Sequence, residues 1–151
     1  MNVQTLQREQ RLPGTPREAF AFFSDARNLE AITPPLLRFK VITPGPIQMR
    51  VGALIRYRLR IRGMPVRWTT VIRAWEPPHR FVDEQLRGPY ALWHHTHTFE
   101  PDGDGATIMR DDVRYAIGFG PLGVVADALL VRRDLDRIFD YRAERVRALL
   151  A

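Results

Sequence analysis

The chain is expected to adopt an α+β fold, a curved antiparallel sheet of about seven strands wrapped on one long C-terminal α-helix. Three observations predict it. Apolar and polar residues alternate through the middle of the chain, which puts them on opposite faces of a strand. Clusters rich in Gly, Pro and Asp recur between those runs and mark turns. After Gly123 neither proline nor glycine occurs, and apolar residues recur at three- and four-residue steps. A sheet with one apolar face needs a cover. The terminal helix is the only element long enough to supply it.

Each element has its own signal. "VQTLQREQRL" (3–12) reads as a first strand with weak alternation. Thr15 is then an N-cap, Pro16 suits the first helical position and Glu18 completes a capping box, with Ala19, Phe20, Phe22 and Phe23 as the apolar face. A second short helix over 25–32 carries Leu29 and Ile32, and "TPP" (33–35) ends it. Six strands follow in a meander. "FKVIT" (39–43) is short, and "PGP" (44–46) turns the chain. "LIRYRLRIR" (54–62) is the cleanest strand, with Ile55, Tyr57, Leu59 and Ile61 on one face and Arg56, Arg58, Arg60 and Arg62 on the other. "VRWTTVIRAW" (66–75), "RFVDEQL" (80–86), "ALWHHTHTFE" (91–100) and "ATIMRDDVRYAI" (106–117) complete the sheet, separated by "GMP", "EPP", "RGPY" and "PDGDG". After "GFGPLG" (118–123) a helix runs from Val124 to Ala151, about 40 Å long at 1.5 Å per residue. Its inward stripe is Val125, Ala128, Val131, Leu135, Ile138, Phe139, Arg142, Val146 and Leu149.

Composition narrows the function. The 151 residues suit one domain spanning 1–151 with a sizeable core. There is no cysteine, which excludes disulfides, thiolate metal sites and cysteine nucleophiles. No signal peptide and no membrane-spanning run is recognised, so the chain is expected to be cytoplasmic. The net charge is +6, and between Glu30 and Glu76 nine basic residues stand with no acidic one. The arginine face of the 54–62 strand is either a solvated outer face or a surface for anionic lipid or nucleic acid.

In this order of elements the chain resembles the START/Bet v 1-like (SRPBCC) superfamily, in particular the bacterial polyketide cyclase/dehydrase-like subgroup. The resemblance covers almost the whole chain. It rests also on the strings "NLEAITPP" (28–35), "WEPPHRF" (75–81), "GPYALWHHTHTF" (88–99), "MRDDVRY" (109–115) and "GPLG" (120–123). It implies a helix-grip fold with a hydrophobic cavity between sheet and helix. Members bind lipids, sterols, quinones, hormones or polyketides, and some catalyse aromatic cyclisation. The resemblance implies no cofactor and no metal. Fold alone does not assign the ligand.

The chemistry concentrates in "ALWHHTHTFE", which holds three of the four histidines. Alternation puts His95 and His97 on one face with Trp93 and Phe99. Extended across neighbouring strands, that face reads Phe81, Asp83, Gln85; Trp93, His95, His97, Phe99; and Thr107, Met109, Asp111, Val113, Tyr115. A hairpin centred near Gly103 would set His95 opposite Asp111, and one near Pro89 would set Asp83 opposite His95. Three readings follow. The row Asp83–His95–Asp111 is a self-satisfied buried network; or it orients a ligand or transfers protons, with a histidine raised by its carboxylates; or His95, His97 and a carboxylate bind a metal. Tyr57, Trp68, Tyr115 and Phe139 are further cavity candidates, or else core packing.

The expected activity is binding of a hydrophobic or aromatic small molecule, oriented by Asp83, Gln85, His95, His97 and Asp111, with Trp93 and Met109 on the same wall. One rival is a cyclase or dehydratase using His95 or Asp111 as acid or base. The other is a basic surface module. No specific nucleic-acid partner is expected, peripheral membrane contact stays open, and the oligomeric state is not addressed by the sequence.

Overall fold

A computed structural model describes residues 2–103, 105–118 and 128–151. Strand β1 (Val3–Pro13) is followed by helix α1 (Pro16–Ser24), a 3₁₀ turn (Ala26–Asn28), helix α2 (Leu29–Ile32) and a second 3₁₀ turn (Pro35–Leu37). Then come β2 (Lys40–Val41), β3 (Leu54–Ile61), β4 (Met64–Glu76), β5 (Arg80–Arg87), β6 (Tyr90–Asp102), β7 (Ala106–Ile117) and helix α3 (Ala128–Leu150). The strands form one seven-stranded antiparallel sheet in the order β1-β7-β6-β5-β4-β3-β2.

Local chemistry accounts for these elements. Thr15 caps α1: its hydroxyl accepts from the Glu18 N–H at 3.2 Å, Glu18 returns a carboxylate to the Thr15 N–H, and Pro16 opens the first turn. Phe20 and Phe23 then meet Phe81, Phe99 and Trp75 edge-on or tilted at 5.0–5.7 Å, which seats α1 over one end of the sheet. The β3 alternation resolves as expected, with Ile55, Tyr57 and Leu59 buried and Arg56, Arg58 and Arg60 exposed. Among the described residues no helix is long and apolar enough to cross a membrane.

Several boundaries differ from the sequence expectation. The 25–32 segment is a 3₁₀ turn and a four-residue helix, because Asp25 accepts the Arg27 N–H at 3.0 Å and ends α1 first. Strand β2 keeps only Lys40 and Val41 of the expected 39–43. Strand β4 begins at Met64, since Arg62 and Gly63, at φ +52° and +79°, close a two-residue hairpin directly. Pairing of β6 with β7 runs on to Asp102 opposite Ala106, so His95 faces Val113, His97 faces Asp111 and Trp93 faces Tyr115. That register lies two residues from the expected one. A two-residue slip keeps every side chain on its own face. The helix expected from Val124 is described from Ala128; residues 119–127, Val125 among them, lie outside the described residues.

Helix α3 is tied to one edge of the sheet. Arg8 on β1 bonds Asp140 at 2.6 Å and Asp136 at 3.0 Å, Gln10 donates to the Ala143 carbonyl at 2.6 Å, and Arg132 donates to the Thr5 carbonyl at 3.0 Å. Val131, Leu135 and Phe139 pack there against Leu6, Trp93, Val113 and Tyr115. The sheet curves away from this seam, so β3, β4 and β5 stand clear of the helix.

Candidate functional site

The space left between α3 and β3–β6 is a cavity of about 670 Å³. That volume suits a drug-sized organic molecule. Its walls are Ile55, Tyr57 and Leu59 from β3, Trp68, Thr70 and Ile72 from β4, Phe81 and Asp83 from β5, Tyr90, Trp93, His95 and His97 from β6, and Leu135, Phe139 and Arg142 from α3. All but a few are apolar or aromatic.

One wall is polar. His95 and His97 are 3% and 2% exposed and stack with ring centroids 3.7 Å apart. Phe81 stacks on the far side of His97 at 4.0 Å, and Phe139 leans on His95 at 5.7 Å. His97 Nε2 lies 2.6 Å from Asp83 Oδ2, and His95 Nε2 lies 2.7 Å from Asp111 Oδ1. The remaining nitrogens look the opposite way: His97 Nδ1 is 3.2 Å from Asp111 Oδ1, off the line of a good hydrogen bond, and His95 Nδ1 is 4.0 Å from Asp83 Oδ2. The four groups form a nearly closed ring drawn from three adjacent strands.

Burial and charge act differently on the two histidines. For His97, burial favours the neutral ring, but the facing Asp111 and Asp83 carboxylates outweigh it and the pKa is raised. For His95, burial and the neighbouring His97 charge prevail over Asp111 and Asp83, and the pKa is lowered. The raised histidine is thus His97, where the sequence pattern had pointed to His95. Burial alone would raise Asp111, yet the bond to His95 and the facing His97 ring hold it well below the usual carboxylate range, and Asp83 is lowered in the same way through His97. With Asp111 ionised, His95 Nε2 must carry the hydrogen that bonds it. Neutral His95 then presents an unprotonated Nδ1.

The remaining site candidates divide. Tyr57, Trp68, Asp83, Trp93, His95, His97 and Phe139 line the cavity; Gln85, Met109, Asp111 and Tyr115 do not. Gln85 is taken up by the β5–β6 turn, donating to the Tyr90 carbonyl at 2.8 Å and accepting the Tyr90 N–H at 3.1 Å. Met109 packs under α1 with Leu12, Phe20 and Phe99, and Tyr115 lies beneath α3 with Leu6 and Val131. Asp111 stands behind the histidines, beside a second void of about 50 Å³ that Met109 and Arg142 also line. As arranged, Asp111 orients His95 instead of facing the cavity.

Sequence patterning overlooked Tyr90 and Arg142. Arg142 was visible as the one charged residue on the inward stripe of α3. Its guanidinium lies 5.6 Å from the ring centres of both Phe23 and Phe139, and it helps lower Asp83 and Asp111. The Trp68 indole N–H is buried without an acceptor.

Asp83, His95 and His97 also bring ligand atoms within 4.8 Å of one another. A tetrahedral zinc would hold its ligands roughly 3.3 Å apart, from bonds of about 2.0–2.1 Å. The 2.6 Å Asp83–His97 contact is that of a hydrogen bond, and the pair would have to spread to admit a cation.

The family described as "Polyketide cyclase / dehydrase and lipid transport" matches residues 3–151. No curated protein matches the chain in sequence. Among solved structures, the Zhui aromatase/cyclase from Streptomyces sp. R1128 superposes with a TM-score of 0.77 at 12% identity, covering 99% of this chain and 94% of that one. Ara h 8.0201 superposes with a TM-score of 0.70 at 14% identity, covering 99% and 98%. A START superfamily protein from Mycobacterium smegmatis gives 0.66 at 13% identity, covering 96% and 98%. At these identities the likeness is one of fold.

Proposed function

This chain belongs to the polyketide cyclase/dehydrase and lipid transport family, and on that premise we propose that it binds a hydrophobic or aromatic small molecule, lipid-, quinone- or polyketide-like, between its sheet and α3. The observation that carries this reading is the cavity of about 670 Å³, lined mostly by aliphatic and aromatic residues with the buried histidine–aspartate cluster on one wall. Apolar walls supply affinity by removing ligand surface from water, roughly 25 cal/mol per Å². The Asp83–His97–Asp111–His95 ring supplies orientation, because buried polar groups discriminate strongly between matched and unmatched partners.

Native mass spectrometry of freshly purified protein tests this, with the same sample then denatured and extracted. An organic mass released on denaturation supports the proposal and names the ligand class. A mass lost instead to a chelator would make Asp83, His95 and His97 metal ligands and overturn it.

A second reading is enzymatic, and one observation favours it. His95 lines the cavity with Nε2 bonded to Asp111 at 2.7 Å, and the tautomer that donates to this carboxylate leaves Nδ1 as the candidate base. Asp111 would position that base without meeting the substrate. A cyclase or dehydratase should lose turnover in His95→Gln with ligand affinity kept. Loss of affinity in the same variant would leave only recognition.

A further inference from the structure

We propose that the cavity is built for an amphiphile carrying one carboxylate, and that Arg142 on α3 is the residue that receives it. The proposal rests on the ligand-binding reading above and narrows it to a chemical class.

Arg142 is half-buried, lines the cavity, and is framed by the faces of Phe23 and Phe139. Among the described residues no carboxylate forms an ion pair or hydrogen bond with it, although seven of its fellow arginines are salt-bridged. The two acids nearest in influence, Asp83 and Asp111, are committed to His97 and His95. A guanidinium in an apolar wall without a partner is costly, and its planar fork matches a carboxylate in two-point contact. Arg142 is therefore a charged donor at the cavity without an acceptor of its own, and an anionic oxygen group supplies one.

The test uses the full chain and three compounds. The neutral dye N-phenyl-1-naphthylamine reports the cavity by fluorescence, and decanoate and decanol, matched in chain length, compete for it. Decanoate should displace the dye at least about tenfold better than decanol at pH 7.5, as one charge-assisted bidentate contact provides. Arg142→Gln should erase that preference by weakening decanoate alone, and Arg142→Lys should keep part of it. Dye binding retained in both variants shows that the fold survives. Equal affinities for acid and alcohol, or an equal loss of both in Arg142→Gln, would overturn this proposal and leave the cavity reading standing. Failure of the dye and of both competitors would overturn the cavity reading and this proposal with it.

Discussion

His95 and His97 stack face to face 3.7 Å apart, and the same two carboxylates, Asp83 and Asp111, face both rings. Two equivalent imidazoles in that position would repel once both were charged. Folding removes the equivalence by raising one pKa and lowering the other.

Stability should therefore peak near pH 6.5. His97 is raised on folding, so its contribution is complete below the unfolded value of about 6.5 and is lost as pH climbs through the folded value. His95 is lowered, so the unfolded chain binds the proton more readily and stability falls as pH drops from about 6.5 toward the folded value. Asp83 and Asp111 are lowered too; their contributions are present above about 4 and are lost in more acid solution. Urea unfolding from pH 5 to pH 9 should trace this dome. His97→Gln should flatten its alkaline side. It should also soften the acid side, because the His97 charge helps depress His95. A curve level across the whole range would show that the ring carries no net coupling.

Gln85 should matter for stability and not for ligand. Both ends of its amide are spent on Tyr90, and a Cβ on Gly88 would come within 2.5 Å of its Oε1, so the β5–β6 turn is built around it. Gln85→Ala should cost about 1–2 kcal/mol, the usual loss for two such bonds partly replaced by water. Dye affinity should stay within about twofold, since RT ln 2 is small beside any direct contact. A large loss of affinity with unchanged stability would return Gln85 to the ligand.

The difference between Gln85 and Asp83 shows where sequence patterning stops. Both share a face by alternation, and both looked alike as cavity residues. Asp83 opposite His95 was legible, because the short "RGPY" turn sets that register. Gln85 lies two residues nearer the turn, where a local bond competes for its amide. Asp111 was placed opposite the wrong histidine, since pairing continues through Asp102 into a tighter turn than "PDGDG" suggested. It still reaches both rings, because the slip preserved its face. The strand identities, α1 with its capping box and the apolar stripe of α3 were legible as local patterns. The cavity was not. Its volume depends on Arg8 and Gln10 fixing α3 to β1 across more than 120 residues of chain, and no local spacing encodes that distance. Arg142 was legible on the stripe, but its place at the cavity was not, because a charged residue on an apolar stripe reads as an exception until the space beside it is seen.

The basic outer face makes a separate prediction. Lys40 lies opposite Arg58, and Arg58 opposite Arg67, a row of three like charges across β2, β3 and β4. Such pairs oppose folding, and Arg58→Thr should stabilise the protein by a few tenths of a kcal/mol at low salt. The gain should fade near 1 M salt, where the screening length is about 3 Å. If the row instead serves as a docking face, Arg58→Thr should weaken association with phosphatidylserine vesicles, and that association should fall steeply with salt. Association insensitive to salt would exclude an electrostatic surface.

Among the described residues, one ion pair joins α3 to the β3–β4 hairpin at the edge of the cavity. Arg62 sits in the two-residue β3–β4 hairpin in the left-handed region and bonds Asp134 of α3 at 2.9 Å, and both residues line the cavity. Helix α3 is held to β1 by Arg8, Gln10 and Arg132 and to α2 by Arg145, which donates to the Ala31 carbonyl at 3.3 Å, while Arg62 is its tie to the β3–β4 hairpin. Both partners are more than a third exposed, at 40% and 37%, and solvent screens them; the pair adds little to stability. Its effect should be kinetic. Arg62→Ala should speed dye binding and release together, leaving the dissociation constant within about threefold, because removing a barrier changes both directions alike. Stopped-flow fluorescence reads the two rates, and high salt on the unaltered protein should reproduce the effect in part. A slower release, or a loss of affinity with an unchanged on-rate, would instead make Arg62 a ligand contact, and ligand exchange would then need another route past α3.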